Sequence, residues 1–353
     1  MKAATPASWL AGLAIGVVAG WGCSRIGTPI PWMLGPLFSI ALLRVAGFNV
    51  DAVPGGRQTG QWIIGTSLGL YFTPHVVREV AGWWPLLALG AIFAILLGYF
   101  TGLVLARLAG IDRTTAIFAS VPGGAAEMSV LGDRFGARVG HVASAQSLRI
   151  LIVVAIIPAA YAMLGFHGTD RYVPGMLVFD AKGFALLMTL TAAGGFLVRR
   201  LDLPNAFVLG SLLVAIPVTA LEFNLSAMPQ SVSNAGQCLL GCALGARFAP
   251  DFLRGAHRFG SAVAASVLVS IAVSALFAVA MAWASGLNPA TLVLGTAPGG
   301  IAEMCITANV LQLGVPLVTA FHVTRLVVLL LLTAPLFARI RGWRERGGSK
   351  RDG

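Results

Sequence analysis

Two glutamates and two arginines stand where ionised groups are expensive, inside long apolar stretches. Glu127 lies in Val121-Pro122-Gly123-Gly124-Ala125-Ala126-Glu127-Met128, and Glu303 in Ala297-Pro298-Gly299-Gly300-Ile301-Ala302-Glu303-Met304, 176 positions later. Arg149 and Arg325 follow them, each at the same spacing from its glutamate. Charged groups at membrane depth mark functional sites by default. A carboxylate there can hold a cation, a proton or part of a substrate, whereas a guanidinium must find a carboxylate, backbone carbonyls or an anionic substrate. The obvious partner of each arginine is the glutamate that precedes it at that spacing, in the same copy or the other. A purely structural glutamate–arginine bridge is the competing reading. Gln146 and His322, one turn before the arginines, add polarity to the same face, and a neutral imidazole can titrate near pH 7.

The elements that position these groups follow from Pro122-Gly123-Gly124 and Pro298-Gly299-Gly300. Proline removes a backbone donor and clashes with the preceding turn, and two glycines make continued helix costly. The segment therefore breaks, and broken backbone at membrane depth survives only inside protein or along a polar cavity. A half-helix restarting at Ala125 exposes unpaired N–H groups, which attract an anion or carboxylate. Glu127 falls within its first turn; the bland alternative is that each glutamate merely satisfies that helix start.

The repetition extends beyond the motif. The same offset pairs Gly60-Gln61, Gly65, Leu68-Gly69, Phe72 and Pro74 with Gly236-Gln237, Gly241, Leu244-Gly245, Phe248 and Pro250. An offset of 175 pairs Gly20, Arg25, Pro29, Gly35 and Phe48-Asn49 with Gly195, Arg200, Pro204, Gly210 and Phe223-Asn224. A tandem duplication of roughly 175 residues accounts for both offsets. It divides the chain into a first membrane repeat (8–164), a connecting loop (165–182), a second membrane repeat (183–338) and a basic cytoplasmic tail (339–353).

Composition places both repeats in a bilayer. Apolar residues make up 57% and charged residues 10%, with mean hydropathy +0.86, whereas soluble domains carry roughly 25% charge. Candidate spans are 8–24, 29–48, 58–73, 84–106, 114–131 and 142–164, then 183–198, 204–221, 233–249, 259–285, 289–310 and 315–338. The first run could pass for a signal peptide, but its residues match the second copy, so it is expected to be retained.

The net charge of +11 is an orientation signal rather than a nucleic-acid footprint. With the tail inside and all twelve segments crossing, the remaining loop charges show no bias. If each Pro-Gly-Gly segment enters and leaves by one face, Lys2, Arg44, Arg57, Arg107, Arg113, Arg134, Arg138, Arg199, Arg200, Arg254 and Arg258 fall inside. With Arg149, Arg247 and Arg325 set aside because they lie within apolar segments, only Arg25, Arg78, Arg171 and Lys182 fall outside, as the positive-inside rule prefers. Each copy then crosses five times, so the second is inverted relative to the first, an architecture of many secondary transporters. Segment 58–73, short and glycine-punctuated, is the rival for the segment that fails to cross.

Other signals are weak. Cys23, Cys238, Cys242 and Cys305 contain no C-x-x-C, the histidines have no metal-binding spacing, and no phosphate-binding or nucleophile motif is present. The many glycines favour close helix packing. No cofactor, metal site or enzyme activity is expected.

The duplicated Pro-Gly-Gly-x-Ala-Glu-Met, the Gly-Gln start of the third segment and the arginine at fixed spacing after each glutamate resemble the bacterial AbrB family of membrane proteins. The resemblance covers residues 8–338. Members of that family are labelled either regulators of gene expression or ammonia monooxygenases, and the family is distantly similar to inverted-repeat cation and anion transporters. The family's name is shared with a small soluble DNA-binding regulator, which nothing here resembles. A monooxygenase would need clustered histidine or carboxylate ligands for copper or iron, and none is found.

The expectation is thus an all-α polytopic protein of the bacterial inner membrane, with two inverted repeats, interrupted or re-entrant helices and both termini cytoplasmic. It carries a small solute or ion, or acts as a membrane-embedded regulator of gene expression. Its partners are the lipid bilayer and that solute, not nucleic acid; a homo-oligomer is left open. The site residues are Pro122, Gly123, Gly124, Glu127 and Arg149, with Pro298, Gly299, Gly300, Glu303, His322 and Arg325.

Overall fold

The computed structural model describes residues 5–168, 172–248, 257–329 and 331. Among them the chain is helix and turn, without a strand. The helices run α1 (Pro6–Arg25), α2 (Pro31–Val45), α3 (Gly56–Gly69), α4 (Pro74–Gly82), α5 (Trp84–Ala109), α6 (Arg113–Ser120), α7 (Ala125–Arg134) and α8 (Val139–Met163). They continue as α9 (Ala181–Arg200), α10 (Ala206–Ala220), α11 (Gln230–Gly245), α12 (His257–Ser285), α13 (Pro289–Thr296), α14 (Ile301–Val310) and α15 (Val315–Leu329).

Helices α1, α5, α8, α9 and α12 are long and apolar enough to cross a membrane. The other expected spans differ. Segments 114–131 and 289–310 are each split into two half-helices, as the Pro-Gly-Gly breaks require. Segments 29–48, 58–73, 204–221 and 233–249 yield helices of only 14 to 16 residues. At about 1.5 Å per residue these fall short of a hydrocarbon core of about 30 Å. Left-handed backbone sets several of their limits: Ile30 precedes α2 at φ 43°, Gly47 follows it at 89°, and Gly55 precedes α3 at 76°. Most of α3 and α11 is buried, so protein rather than lipid surrounds them. The short amphipathic α4 was not anticipated, and its counterpart falls largely in 249–256, outside the described residues. Asp170, Arg171, Arg254 and the 339–353 tail also lie outside them.

Helix limits keep the sequence offsets. α1 and α9 begin 175 positions apart, as do α2 and α10; α6 and α13 begin 176 apart, as do α7 and α14. The two halves nevertheless interleave. In one layer α2 packs on α11 and α10 on α3, with α1 against α2, α9 against α10, and α3 against α11 between them. Small residues permit the approach: a β-carbon at Gly60 would sit 2.7 Å from the Gly236 carbonyl oxygen. In the other layer α5 packs on α12, with Phe93 and Phe277 stacked at 3.7 Å, and both flank the half-helices. The main apolar cluster joins the layers, bringing Met33, Ile64, Val208, Leu240 and Leu244 together with Ala297, Ile301 and Met304.

Candidate functional site

The site begins at the breaks. α6 has 8 residues and α7 has 10, so each reaches about 12–15 Å, half the depth of a bilayer core. The two turn back on each other. The backbone N–H of Arg138, just before α8, donates to Thr115 Oγ1 in the first turn of α6 at 2.9 Å, and Phe118 stacks on Phe135. α6, the break and α7 therefore form a hairpin whose ends meet at one face, while its tip lies deep. The second hairpin closes in the same way, because a β-carbon at Gly314 would meet the side chain of Thr291 at 2.6 Å. Thr291 and Gly314 are the counterparts of Thr115 and Arg138 at the duplication offset. The rival, segment 58–73, holds one unbroken helix, α3, which ends at Gly69.

A broken helix ends in carbonyls with no intrahelical partner, and the buried arginines answer them. Arg149 donates through Nη1 to the Val121 and Ser120 carbonyls at 3.0 and 3.3 Å, and through Nη2 to that of Gly123 at 3.3 Å. Arg325 donates to the Ala297 and Gly299 carbonyls at 2.7 and 2.6 Å. Gln146 Nε2 reaches the Phe118 and Val121 carbonyls at 2.9 Å, and His322 Nε2 reaches the Leu294 carbonyl at the same distance. A carbonyl only accepts, so His322 carries a hydrogen on Nε2. Spacing i, i+3 on α8 and α15 puts each pair on one helix face. Gln146 and His322 are fully buried; Arg149 is 4% and Arg325 6% exposed.

For Glu303 these contacts correct the expected glutamate–arginine pairing. No ion pair joins Glu303 to Arg325 among the described residues. The carbonyl end of α13 carries partial negative charge and lies within hydrogen-bond distance of Arg325. Glu303 instead sits at the start of the second half-helix α14, where negative charge is favoured. Its carboxylate folds back over Gly300, and a β-carbon there would collide with it. The backbone of Glu127 begins α7 equivalently; its side chain lies outside the described positions.

Both breaks line one cavity of about 50 Å³. Pro122, Gly123, Gly124 and Arg149 meet Gly299, Gly300, Glu303, His322 and Arg325 there, so the structure brings together predicted residues from both halves of the chain. Such a volume holds roughly three to five waters. Pro298 does not line this cavity; with Pro122 it lines a smaller crevice among Ser120, Ser270, Ser274 and Thr296. The sequence reading missed other residues around the main cavity. Arg57, Gln61 and Asn205 line it, with Gln61 Nε2 donating to Asn205 Oδ1 at 3.0 Å, and Arg247 closes it from the end of α11. Arg57 reads as a loop charge in the sequence. Arg247 gave a usable signal, since it is a third arginine within an apolar segment.

Fold and site together define a multi-spanning helical membrane protein in which two interrupted helices converge on a buried ionic cavity. The chain belongs to the AbrB family. The model of that family, described as "Transition state regulatory protein AbrB", matches residues 32–341. The chain is 28% identical to the YhjN protein of Bacillus subtilis, over 92% of this chain and 91% of that protein. It is 23% identical to an Escherichia coli protein named as a regulator, AbrB, over 90% of this chain and 92% of that one.

Proposed function

We propose that this chain is a secondary carrier of a small solute or ion in the bacterial inner membrane, its two repeats inverted and both termini cytoplasmic. One observation carries the reading: two hairpins of broken helix, 176 positions apart in the chain, meet tip to tip at one cavity lined by buried arginines and a glutamate. Broken half-helices facing a mid-depth site are what alternating access around a fixed site uses.

Charge at the hairpin bases supports opposite entry. The first base carries Arg107, Arg113, Arg134 and Arg138, whereas residues 259–324, which include the second hairpin, contain no lysine or arginine. The positive-inside rule puts the first base in the cytoplasm and leaves the second free to open outward. In this reading Glu303 is the charge that cycles during transport, and Arg149 and Arg325 hold the breaks open.

Flux in proteoliposomes tests the function. Solute-dependent counterflow is expected in the wild type and is lost in Glu303→Gln at equal incorporation, with Glu127→Gln affected less. Wild-type flux in the Glu127→Gln, Glu303→Gln double variant would remove the charged-site argument. The names of the family model and of the E. coli relative favour a second reading, a membrane-embedded regulator of gene expression. Altered transcript levels without flux would select it.

A further inference from the structure

We infer that a hydrogen bond between Tyr71 and Asn309 closes the main cavity at one end, and that this closure exchanges with an Arg247–Asp133 ion pair that closes the other. The inference rests on the carrier reading and names the gates of its site. Tyr71 OH donates to Asn309 Oδ1 at 2.8 Å. Tyr71 lies two residues beyond α3, in one layer, and Asn309 in the last turn of α14, in the other; the two helices pack together. The main cavity between these layers is lined by Arg57 and Gln61, at the opposite end of α3, and by neither member of the pair. The length of α3 sets Arg57 and Tyr71 about 20 Å apart. Next to Tyr71, Phe72 and Val76 join Leu292 and Leu317 in an apolar cluster that packs the same end. A separate concavity of about 1050 Å³, at the base of the second hairpin, is lined by His75, Glu79, Asn288 and Gly314 and shares no wall residue with the main cavity.

The counterpart contact is complementary in sequence and unmade in the structure. Arg247 stands 176 positions after Tyr71, and Asp133 stands 176 positions before Asn309. The offset thus converts one donor–acceptor pair into another, hydroxyl and amide oxygen into guanidinium and carboxylate. Arg247 borders the main cavity, as Arg57 does, and Asp133 is exposed in the last turn of α7. No ion pair joins the two among the described residues. Arg247 holds another contact, which the exchange replaces. Among the described residues, α7 makes no packing against α11 comparable with that of α14 against α3. One end is therefore latched where the other is not. A shift of the half-helix layer past α3 and α11 that breaks the first contact and makes the second would turn the cavity toward the opposite face. Packed interfaces with two discrete arrangements support such transitions, and alternating access moves one repeat or bundle against the other around a fixed site.

Spin-label distances in the full chain, its native cysteines replaced, test the exchange. Labels at the exposed positions Leu221 and Val310 span the layers at the Tyr71 end, and labels at Gln58 and Arg134 span them at the Arg247 end. Each pair should show a short and a long distance, with one end short where the other is long. Tyr71→Phe, which deletes only the hydroxyl, should shift the ratio about fivefold toward the long 221–310 and the short 58–134 distance. Asp133→Asn should instead deplete the short 58–134 distance. A merely structural contact would not move the far end. An unchanged 58–134 distribution in Tyr71→Phe would overturn the inference, as would a lengthening of both ends together or one fixed distance per pair in all three proteins. Exchange without flux would sink the carrier reading alone, and flux with fixed distances would sink this inference alone.

Discussion

The two hairpins solve one backbone problem with the same chemistry and differ almost everywhere else. Arg149 and Arg325 address carbonyls at equivalent positions, Val121 with Gly123 and Ala297 with Gly299. Around that shared core, Gln146 faces His322, the aromatic pair Phe118–Phe135 faces Leu294 and Leu311, and an ionic base faces a neutral one. At the first base Asp112 caps α6 and lies 3.9 Å from Arg138; at the second Asn288 caps α13 and Gly314 replaces the arginine. What is common to the hairpins is therefore the support of the break, and what differs is the charge at their bases and the polar groups they bring to the cavity.

The comparison breaks first at the arginines. Arg149→Met and Arg325→Met should each destabilise strongly, since every stranded buried carbonyl costs roughly 1–3 kcal/mol. A loss of about 3 kcal/mol or more is expected at both positions, with arginine-to-lysine variants intermediate; unfolding of purified protein measures it. Near-normal stability at one site alone would show that the two breaks are not held alike.

The smallest expected effect sharpens the difference between the bases. Burial alone would raise the Asp112 carboxyl, but its bonds from Thr115 and the charge of Arg138 outweigh that, so its pKa falls below the ordinary aspartate value. A depressed folded pKa contributes stability that is present above the unfolded value and lost as pH falls through the folded one. Asp112→Ala should therefore cost about 1 kcal/mol at neutral pH, the usual loss for a helix cap. The gap to the wild type should close below about pH 4. Asn288→Ala should cost a similar amount without that pH dependence, because the amide does not titrate. Parallel unfolding series spanning acid to neutral pH would show it.

How much of this was legible depended on whether an interaction is local. Proline followed by two glycines breaks a helix whatever surrounds it, so both breaks and the half-helices beyond them could be read directly from residues 121–128 and 297–304. The buried arginines were visible because guanidinium is conspicuous among apolar neighbours. Their partners were not, because backbone carbonyls freed by a break leave no mark in the sequence, while a glutamate such as Glu303 does. Likewise Arg57 and Asn205 come to the cavity only because α3 and α10, from different copies, pack together. Short helices read as full spans for a related reason: hydropathy counts apolar residues but does not register that α3 and α11 are sheathed by other helices.

Opposite entry of the two hairpins to one shared cavity is the central claim, and the caps at their bases test it most directly. Asp112 and Asn288 are equivalent, exposed positions. Single cysteines placed there, in a chain lacking its native cysteines, can be challenged with a membrane-impermeant thiol reagent on intact and on inverted vesicles. The predicted result is modification of position 112 only from the cytoplasmic side and of position 288 only from the opposite side. Modification of both from the same side would contradict the account.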